Sequence, residues 1–578
     1  MTSRLATLIV VGIVVATLVA GLIVGARRED PGEGADLVVL NGRVYAPGGT
    51  PASPEAVAVK ANRILKVGTT SEIKEMIRAG TVVVDARGGS VLPGFNDAHL
   101  HLMSGGLGLE QVDLLDAVTL EQIDRKIRAY AAAHPEKPWV LGRGWYYAPF
   151  PGGLPTRQQL DGLVPDRPAF MRCYDGHTGW ANSRALALAG ITRTTPDPKG
   201  GIIVKDTKTG EPTGALKEAA QDLMDKVLPK PSRQDKLHAI RAAVAEAHRF
   251  GITSVQNAGG DAEEIGLFDE VRRAGGLKLR VYMAMSVDSP FKDADVDRLD
   301  QIRARFGDDP VLRTGAAKLY IDGVIEAHTA VMLAPYANRP TKGEPLFSAD
   351  ELDRIVALLD RHGWQVMIHA IGDGGVRMAL DACEHAAALN PAPARGRRHR
   401  LEHIETVDPV DIPRFGRLGV IAVQQPFHGN PSGNQLDVWI ANIGPERASR
   451  GWAQRSISAA GGRLAMGSDW PVVSLDPRLE LNMAVNRMTP EGTPKGGWLP
   501  EQKIPLADAI DAYTSGAAYA SFEEGRKGRI APGMLADMVV MSTDLSALPP
   551  ARLLDAAVHT TIFDGKVVYR ATSPSPLP

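Results

Sequence analysis

Eight short apolar segments, each followed by a loop and most by a helix-patterned stretch, constrain the fold of this chain more than any other feature. In order they read SVLPGF, ITSVQN, LRVYMAM, GAAKLYI, WQVMIH, HRLEHI, VIAVQQ and RLAMGS. Apolar runs this short, alternating with helices, suit a parallel sheet covered on its outer face, and eight of them predict a (β/α)8 barrel of the α/β class. Residues 119–250 separate the first two segments by far more than one crossover helix, which predicts an inserted subdomain after strand one. That stretch has strand-like runs of its own, WVLGRGW and AFMRCY.

Both flanks of the barrel alternate apolar and polar residues around tight turns. ADLVVLNGRVYAPG and AVAVKANRILKVG precede it, and ADMVVMSTD and VHTTIFDGKVVYR follow it, with Asn-Gly, Asn-Arg and Asp-Gly turn signals. Neither flank has enough strands to bury a core alone, so residues 36–90 and 525–570 are expected to form one composite β-sandwich. The barrel then occupies residues 91–524, and the Ser/Pro-rich residues 571–578 read as a disordered tail.

Residues 5–25, LATLIVVGIVVATLVAGLIVG, carry no charge and approach the ~20 residues a helix needs to cross the hydrocarbon core. Residues 1–28 are therefore expected to be a membrane anchor or a signal peptide. The apolar run exceeds the roughly 7 to 15 residues of a usual signal peptide, which favours an uncleaved transmembrane helix. Arg4 on one side and Arg27 and Arg28 on the other barely set its orientation. A large domain after a single N-terminal span is usually exported, so the body is expected outside the cytoplasm, membrane-anchored or released after signal cleavage.

Hydrophobic residues at 44% and charged residues at 23% match a chain whose bulk folds in water. A formal net charge of -2 offers no surplus of clustered Lys and Arg for phosphates, which removes nucleic acid as a partner. The two cysteines, Cys173 and Cys383, exclude a disulfide scaffold and a thiolate zinc cage and leave a single bridge open.

Residues of metal-ligating type fall at the carboxyl ends of the apolar segments, where the functional groups of a barrel project. His99 and His101 stand in FNDAHLHL; extended backbone repeats every two residues, so both rings face one way and could grip one ion. His369 ends WQVMIH and His403 ends HRLEH, each after a run that belongs in a core, and a buried imidazole needs partners for both nitrogens. Asp469 follows RLAMGS, where a buried carboxylate is costly unless it meets a cation or donors. Lys318, in AAKLYIDG, is the least expected, because an unpaired buried ammonium tends to lose its charge. Its neutral amine could add CO2 and become a carbamate that bridges two cations; a salt bridge to Asp322 or Glu326 is the alternative. Singly, each of the six has an ordinary explanation as a core histidine, a helix cap or an ion pair. Together, on five strand ends of one barrel, they point to a shared cause, a divalent metal site.

LPGFNDAHLHL, the barrel lysine, the two later strand-end histidines and GSDWP, in that order, resemble the amidohydrolase superfamily. LPTRQQLDGLVPDRPAFMRCYDGHTGWANSRAL, KLYIDGVIEAHTAVMLAPY and RHRLEHIETVDPVDIPRFGRLGVIAVQQP resemble its YtcJ-like branch, amidohydrolase family 3, which includes N-substituted formamide deformylases. The resemblance implies that His99, His101 and Asp469 hold one metal, that His369 and His403 hold a second, and that carboxylated Lys318 bridges them. One ion or two stays open, and Zn2+ suits imidazole and carboxylate ligands. The chemistry implied is hydrolysis of an amide-type C–N bond, N-substituted formamides among the candidates, by a metal-activated water. Asp469 would take the water's proton and return it to the leaving amine.

Substrate contacts are expected from the insertion. DGHTGWANS places His177, Trp180 and Asn182, and GRGWYY places Arg143, Trp145 and Tyr146, in polar-aromatic loops suited to the barrel mouth. The partner is then a small molecule, and the oligomeric state stays open, homo-oligomers included. A ring C=N deaminase is one alternative, but such enzymes often carry a helix-borne glutamate, and Ala370 to Asp373 after His369 contain no HxxE. A catalytically inactive, membrane-tethered binding barrel is another; lost ligands would mark it, and none of the six is missing.

Overall fold

The computed structural model describes residues 34–46, 54–174 and 176–572. At its centre eight strands pair in sequence order: β1 (Phe95–Leu100), β2 (Ile252–Asn257), β3 (Arg280–Ser286), β4 (Leu312–Tyr320), β5 (Gln365–Ala370), β6 (Arg400–His403), β7 (Ile421–Gln424) and β8 (Arg463–Met466). Every ladder between them is parallel. Among the described residues no ladder joins β8 to β1. The gap is sealed just past β8, where Asp469 N donates to His99 O at 2.6 Å and His101 N donates to Trp470 O at 2.7 Å. Gly467 makes this seam feasible, because a Cβ there would run into the His99 backbone and the Asp97 carboxylate.

The covering helices follow from their sequences. Ala349–Arg361 is capped by Ser348, whose side chain accepts from Glu351 N, and it buries Leu352, Ile355, Val356 and Leu359 along one stripe. Each such aliphatic side chain contributes roughly 1.5–3 kcal/mol when fully buried.

The first strand starts later than SVLPGF suggests. Ser90–Pro93 pairs with Arg43–Val44 and Met538–Met541 in a separate five-stranded sheet, and the barrel begins at Phe95. Gly94 is the pivot: a Cβ there would overlap the Thr253 side chain. An unbroken apolar run conceals such a break, since both pieces are buried.

That five-stranded sheet, completed by Val558–Phe563 and Lys566–Arg570, faces a four-stranded sheet of Leu37–Leu40, Ala56–Lys60, Arg63–Gly68 and Val82–Asp85. Val39, Val57 and Val84 from one sheet share an apolar core with Val91, Met538 and Ile562 from the other. Both ends of the described chain thus build one unit. Arg280, at the foot of β3, fastens it to the barrel through Asp537 at 2.6 Å and Asp564 at 2.8 Å.

Between β1 and β2 the chain forms a six-stranded sheet that begins at Val112–Asp113, ahead of residue 119, and ends with Pro212–Glu218. The helix Arg233–Arg249, expected within the insertion, instead buries Leu237, Ile240 and Val244 in the barrel's own core. Cys173 and Cys383 are buried and form no disulfide. Among the described residues no helix is long and apolar enough to cross a membrane. The apolar residues 5–25, read as an anchor or signal peptide, and residues 573–578 of the tail lie outside the described residues.

Candidate metal centre

Alternation along the strands gathers the six predicted residues. Lys318 and Tyr320 share a face of β4, Met367 and His369 a face of β5, and the register sets Tyr320 beside His369 and Ala370 beside His403. On β6 the pleat that turns Arg400 and Glu402 into the barrel would send His403 to the opposite side. His403 instead adopts a φ of 72°, and its ring returns to the barrel mouth; Asp469, past β8, has a φ of 57°. Left-handed backbone at residues with side chains costs on the order of 1–3 kcal/mol and persists only where surrounding contacts enforce it.

His99, His101, Lys318, His369, His403 and Asp469 all line one cavity of about 200 Å³. Asp469 is its hub. Oδ1 lies 3.4 Å from His99 Nε2 and 3.2 Å from His101 Nε2, and Oδ2 lies 4.0 Å from His403 Nδ1. The His403 ring is 4.8 Å from the His99 ring and 4.5 Å from the His369 ring. His99 Nε2, His403 Nδ1 and Lys318 Nζ are buried and make no hydrogen bond among the described residues. Unsatisfied groups of this kind cost about 1–3 kcal/mol each in a bare protein interior. Two imidazole nitrogens and an amine that converge unpaired beside a carboxylate fit a divalent cation, and two sets, His99 with His101 and Asp469 and His403 with His428 and Asp469, are compact enough to hold one.

The surroundings orient these ligands. His99 Nδ1 is hydrogen-bonded to Glu402, which Arg400 grips at 2.6 and 3.1 Å, so Nε2 points at the cavity. His369 Nε2 lies 3.2 Å from Gly323 O, which leaves Nδ1 as its ligand atom. A carboxylate or carbonyl behind an imidazole is the usual outer support of a metal-binding histidine.

Burial, with the nearby Lys318 charge, lowers His99 to about 4 against the pull of Glu402 and Asp469, and lowers His369 to about 3. His403 falls well below the usual imidazole range, again through burial first. Neutral imidazole is the form that binds metal. Burial opposes ionisation of Asp469, but the surrounding imidazoles outweigh it and hold the carboxyl well below the ordinary range. Glu402 is likewise held at about 2, burial being overcome by Arg400 and His99. Lys318 drops to about 8 because burial disfavours the ammonium more than Glu402 and Asp469 restore it. Its Nζ bonds neither Asp322 nor Glu326 and lies 4.4 Å over the Tyr320 ring. Asp322 is committed to the backbone, accepting from Val331, Ile371 and Gly372 at 2.9, 3.1 and 3.0 Å.

The insertion contributes less than its sequence suggests. Trp145 and Trp180 are fully buried in its core, with indole N–H groups donating to Met171 O at 2.9 Å and Thr156 O at 2.8 Å. Asn182 caps the helix Ser183–Leu188; its amide accepts from Ala169 N and Ala185 N and donates to Val164 O and Arg167 O. These three are structural, because nothing of them reaches the cavity. His177, half-buried, bonds Glu218 at 2.9 Å and does not line the cavity either. Tyr146 packs at 4.8 Å against Tyr174, which does line it. Arg143 lies within electrostatic reach of Asp469 but outside the cavity wall.

Sequence reasoning missed Glu402, Tyr174 and His428. Glu402 was legible in RLEH, where period two aligns it with Arg400. His428 lies in the short turn Pro426–Gly429 past β7, with Nε2 3.7 Å from Asp469 Oδ2; the signal was a histidine just beyond a strand end, obscured by the intervening proline. A larger cleft of about 680 Å³ opens at the amino ends of the strands beside Arg303, Arg313 and Arg395. Those guanidiniums are engaged with Asp300, Ser521 O and Gly363 O, and no predicted ligand reaches it.

The description "Amidohydrolase family" matches residues 82–569. The protein LONG AFTER FAR-RED 3 of Arabidopsis thaliana is 32% identical over 93% of this chain and 92% of its own length. YtcJ of Bacillus subtilis is 32% identical over 89% of this chain and 96% of its own, and N-substituted formamide deformylase of Arthrobacter pascens is 27% identical over 93% and 99%. An uncharacterized metal-dependent hydrolase from Pyrococcus horikoshii superposes with a TM-score of 0.67 at 26% identity, covering 86% of this chain and 96% of that one. Barrel, strand-end ligands and likenesses agree: the chain belongs to the amidohydrolase family, in its YtcJ-like branch of metal-dependent hydrolases.

Proposed function

We propose that this protein hydrolyses an amide-type C–N bond in a small molecule, N-substituted formamides being the first class to test. One observation carries this above the others: His99 Nε2, His403 Nδ1 and Lys318 Nζ converge without hydrogen bonds on a cavity shared with the Asp469 carboxylate. Similarity to an N-substituted formamide deformylase along nearly the whole chain supports the amide class. His99, His101 and Asp469 would hold one divalent cation, Zn2+ before others, and His369, His403 and Lys318 would serve a second where two are bound.

A cation bound there supplies Lewis-acid polarisation of a carbonyl and lowers the pKa of water. The chain does the rest. Asp469 accepts a proton from the attacking water and delivers it to the departing nitrogen. Glu402, fixed by Arg400, keeps the His99 ring from turning. Lys318, partly neutral through burial, adds CO2 at Nζ with release of one proton, and the resulting carbamate gives two oxygens where the free amine had one nitrogen. Tyr174, Val324, Ile371 and Val473 line the cavity and exclude bulk water from the reacting bond.

Purified protein screened against formamides, acylated amino acids, cyclic amides and small esters, with and without chelator, tests this. Chelator-sensitive release of amine from amides is expected; purified protein that holds no divalent metal and turns over no amide overturns it. We further infer from residues 5–25 alone that the enzyme is membrane-anchored and extracytoplasmic. Protease added to intact spheroplasts should then degrade the body of the chain, and full protection would reverse the placement.

A further inference from the structure

His428 comes from a strand that contributes none of the six ligands expected from the sequence. Its ring is buried within the cavity wall, on the turn Pro426–Gly429. That turn is pinned from behind: Phe427 N donates to Glu480 Oε2 at 2.8 Å. Nε2 lies 3.7 Å from Asp469 Oδ2, and the ring runs nearly parallel to that of His403, tilted 14° with centroids 5.9 Å apart. One ligand atom each from His403, His428 and Asp469 falls within 4.8 Å of the others, as compact as the set of His99, His101 and Asp469.

The two sets divide one carboxylate between them. Oδ1 of Asp469 faces His99 and His101, and Oδ2 faces His403 and His428. Behind His428, Nδ1 lies 3.9 Å from Glu405 Oε1, and the other oxygen of Glu405 accepts from Trp439 Nε1 at 2.9 Å. Glu405 thus flanks the far side of the His428 ring without the direct hydrogen bond that joins Glu402 to His99, and burial with the Glu326 charge holds it well above the usual carboxylate range.

We propose that His428 is a metal ligand, joining His403 and Asp469 around the second cation. This rests on the metal-centre reading above. It assigns to β7 a ligand that the sequence reading of the site did not.

The test uses the full chain, stripped with chelator and titrated with Co2+. Bound metal is measured at equilibrium, the visible absorption of the bound ion is recorded, and thermal melting confirms folding. In His428→Gln the affinity of at least one ion should fall by on the order of 10–100-fold, with a changed absorption band. Folded His428→Gln with unchanged affinities and an unchanged band overturns the assignment. Should that variant not fold, His428→Asn is read by the same measurements, and unchanged Co2+ affinities with an unchanged band in it overturn the assignment equally. Wild-type protein that binds no Co2+ would instead sink the metal centre itself, and this ligand with it.

Discussion

At the barrel mouth, ligand-type side chains are buried with hydrogen-bonding capacity left over; in the insertion, Trp145, Trp180 and Asn182 are buried with theirs spent. His99 Nε2, His403 Nδ1 and Lys318 Nζ make no hydrogen bond among the described residues, whereas the amide of Asn182 is spent on four backbone groups and the indoles of Trp145 and Trp180 each find a carbonyl. Residue type does not separate these regions, since both mix aromatic and polar side chains. The difference lies in satisfaction. A group buried for the fold closes its own account of partners, and a group buried for a ligand leaves one position open.

The comparison breaks first if Asp469 is dispensable. Asp469→Asn should lower kcat by about 10²–10⁴-fold in steady-state assays, without loss of melting temperature; substantial remaining turnover would remove the carboxylate from proton transfer. Glu402→Gln comes next. It leaves Arg400 buried without its counter-charge, so stability in denaturant titration should fall by about 3–5 kcal/mol, and metal affinity should fall with it. Stability lost with metal binding intact would reduce Glu402 to a packing role.

Asn182→Ala sharpens the contrast from the other side. Loss of its backbone partners should cost about 1–3 kcal/mol of stability, with kcat/KM of the folded protein little changed. A large fall in kcat/KM at unaltered stability would show that the insertion touches substrate after all. The smallest effect concerns a barrel carboxyl outside the cavity. Burial, aided by Asp261, raises Glu264 from 4.5 to about 7, so the folded state keeps a proton that the unfolded state has lost. Its contribution is fully present below pH 4.5 and disappears as pH rises through about 7. Glu264→Gln should flatten the decline of melting temperature across that window, and an unchanged slope would show that Glu264 does not cause it.

Much of the architecture was legible because burial leaves periodic marks. The eight apolar runs identified the barrel, and His369, His403 and Asp469 stood out as polar residues that ended them. Lys318 and Asp469 were legible for the same reason, since each breaks a pattern that would otherwise be apolar. The start of the barrel was not legible, because Ser90–Pro93 and Phe95–Leu100 are both buried and only the crowding at Gly94 separates them. His428 was hidden by a turn, whose geometry carries no period. Trp180 and Asn182 misled because a helix cap and an indole donor have the composition of a ligand loop. Only their partners, set by strands distant in sequence, reveal that they hold the insertion together.

The seam between β1 and β8 has one more effect. Main-chain atoms of His99, His101, Asp469 and Trp470 supply the stitches that complete the ring, so the three residues proposed to hold one cation also fasten the cylinder shut. With the proposed cation bound, loosening of the cylinder at that point would shift His99, His101 and Asp469 and weaken their hold on the ion. A chelating dye that reports escaping metal should then register faster escape when this seam is weakened.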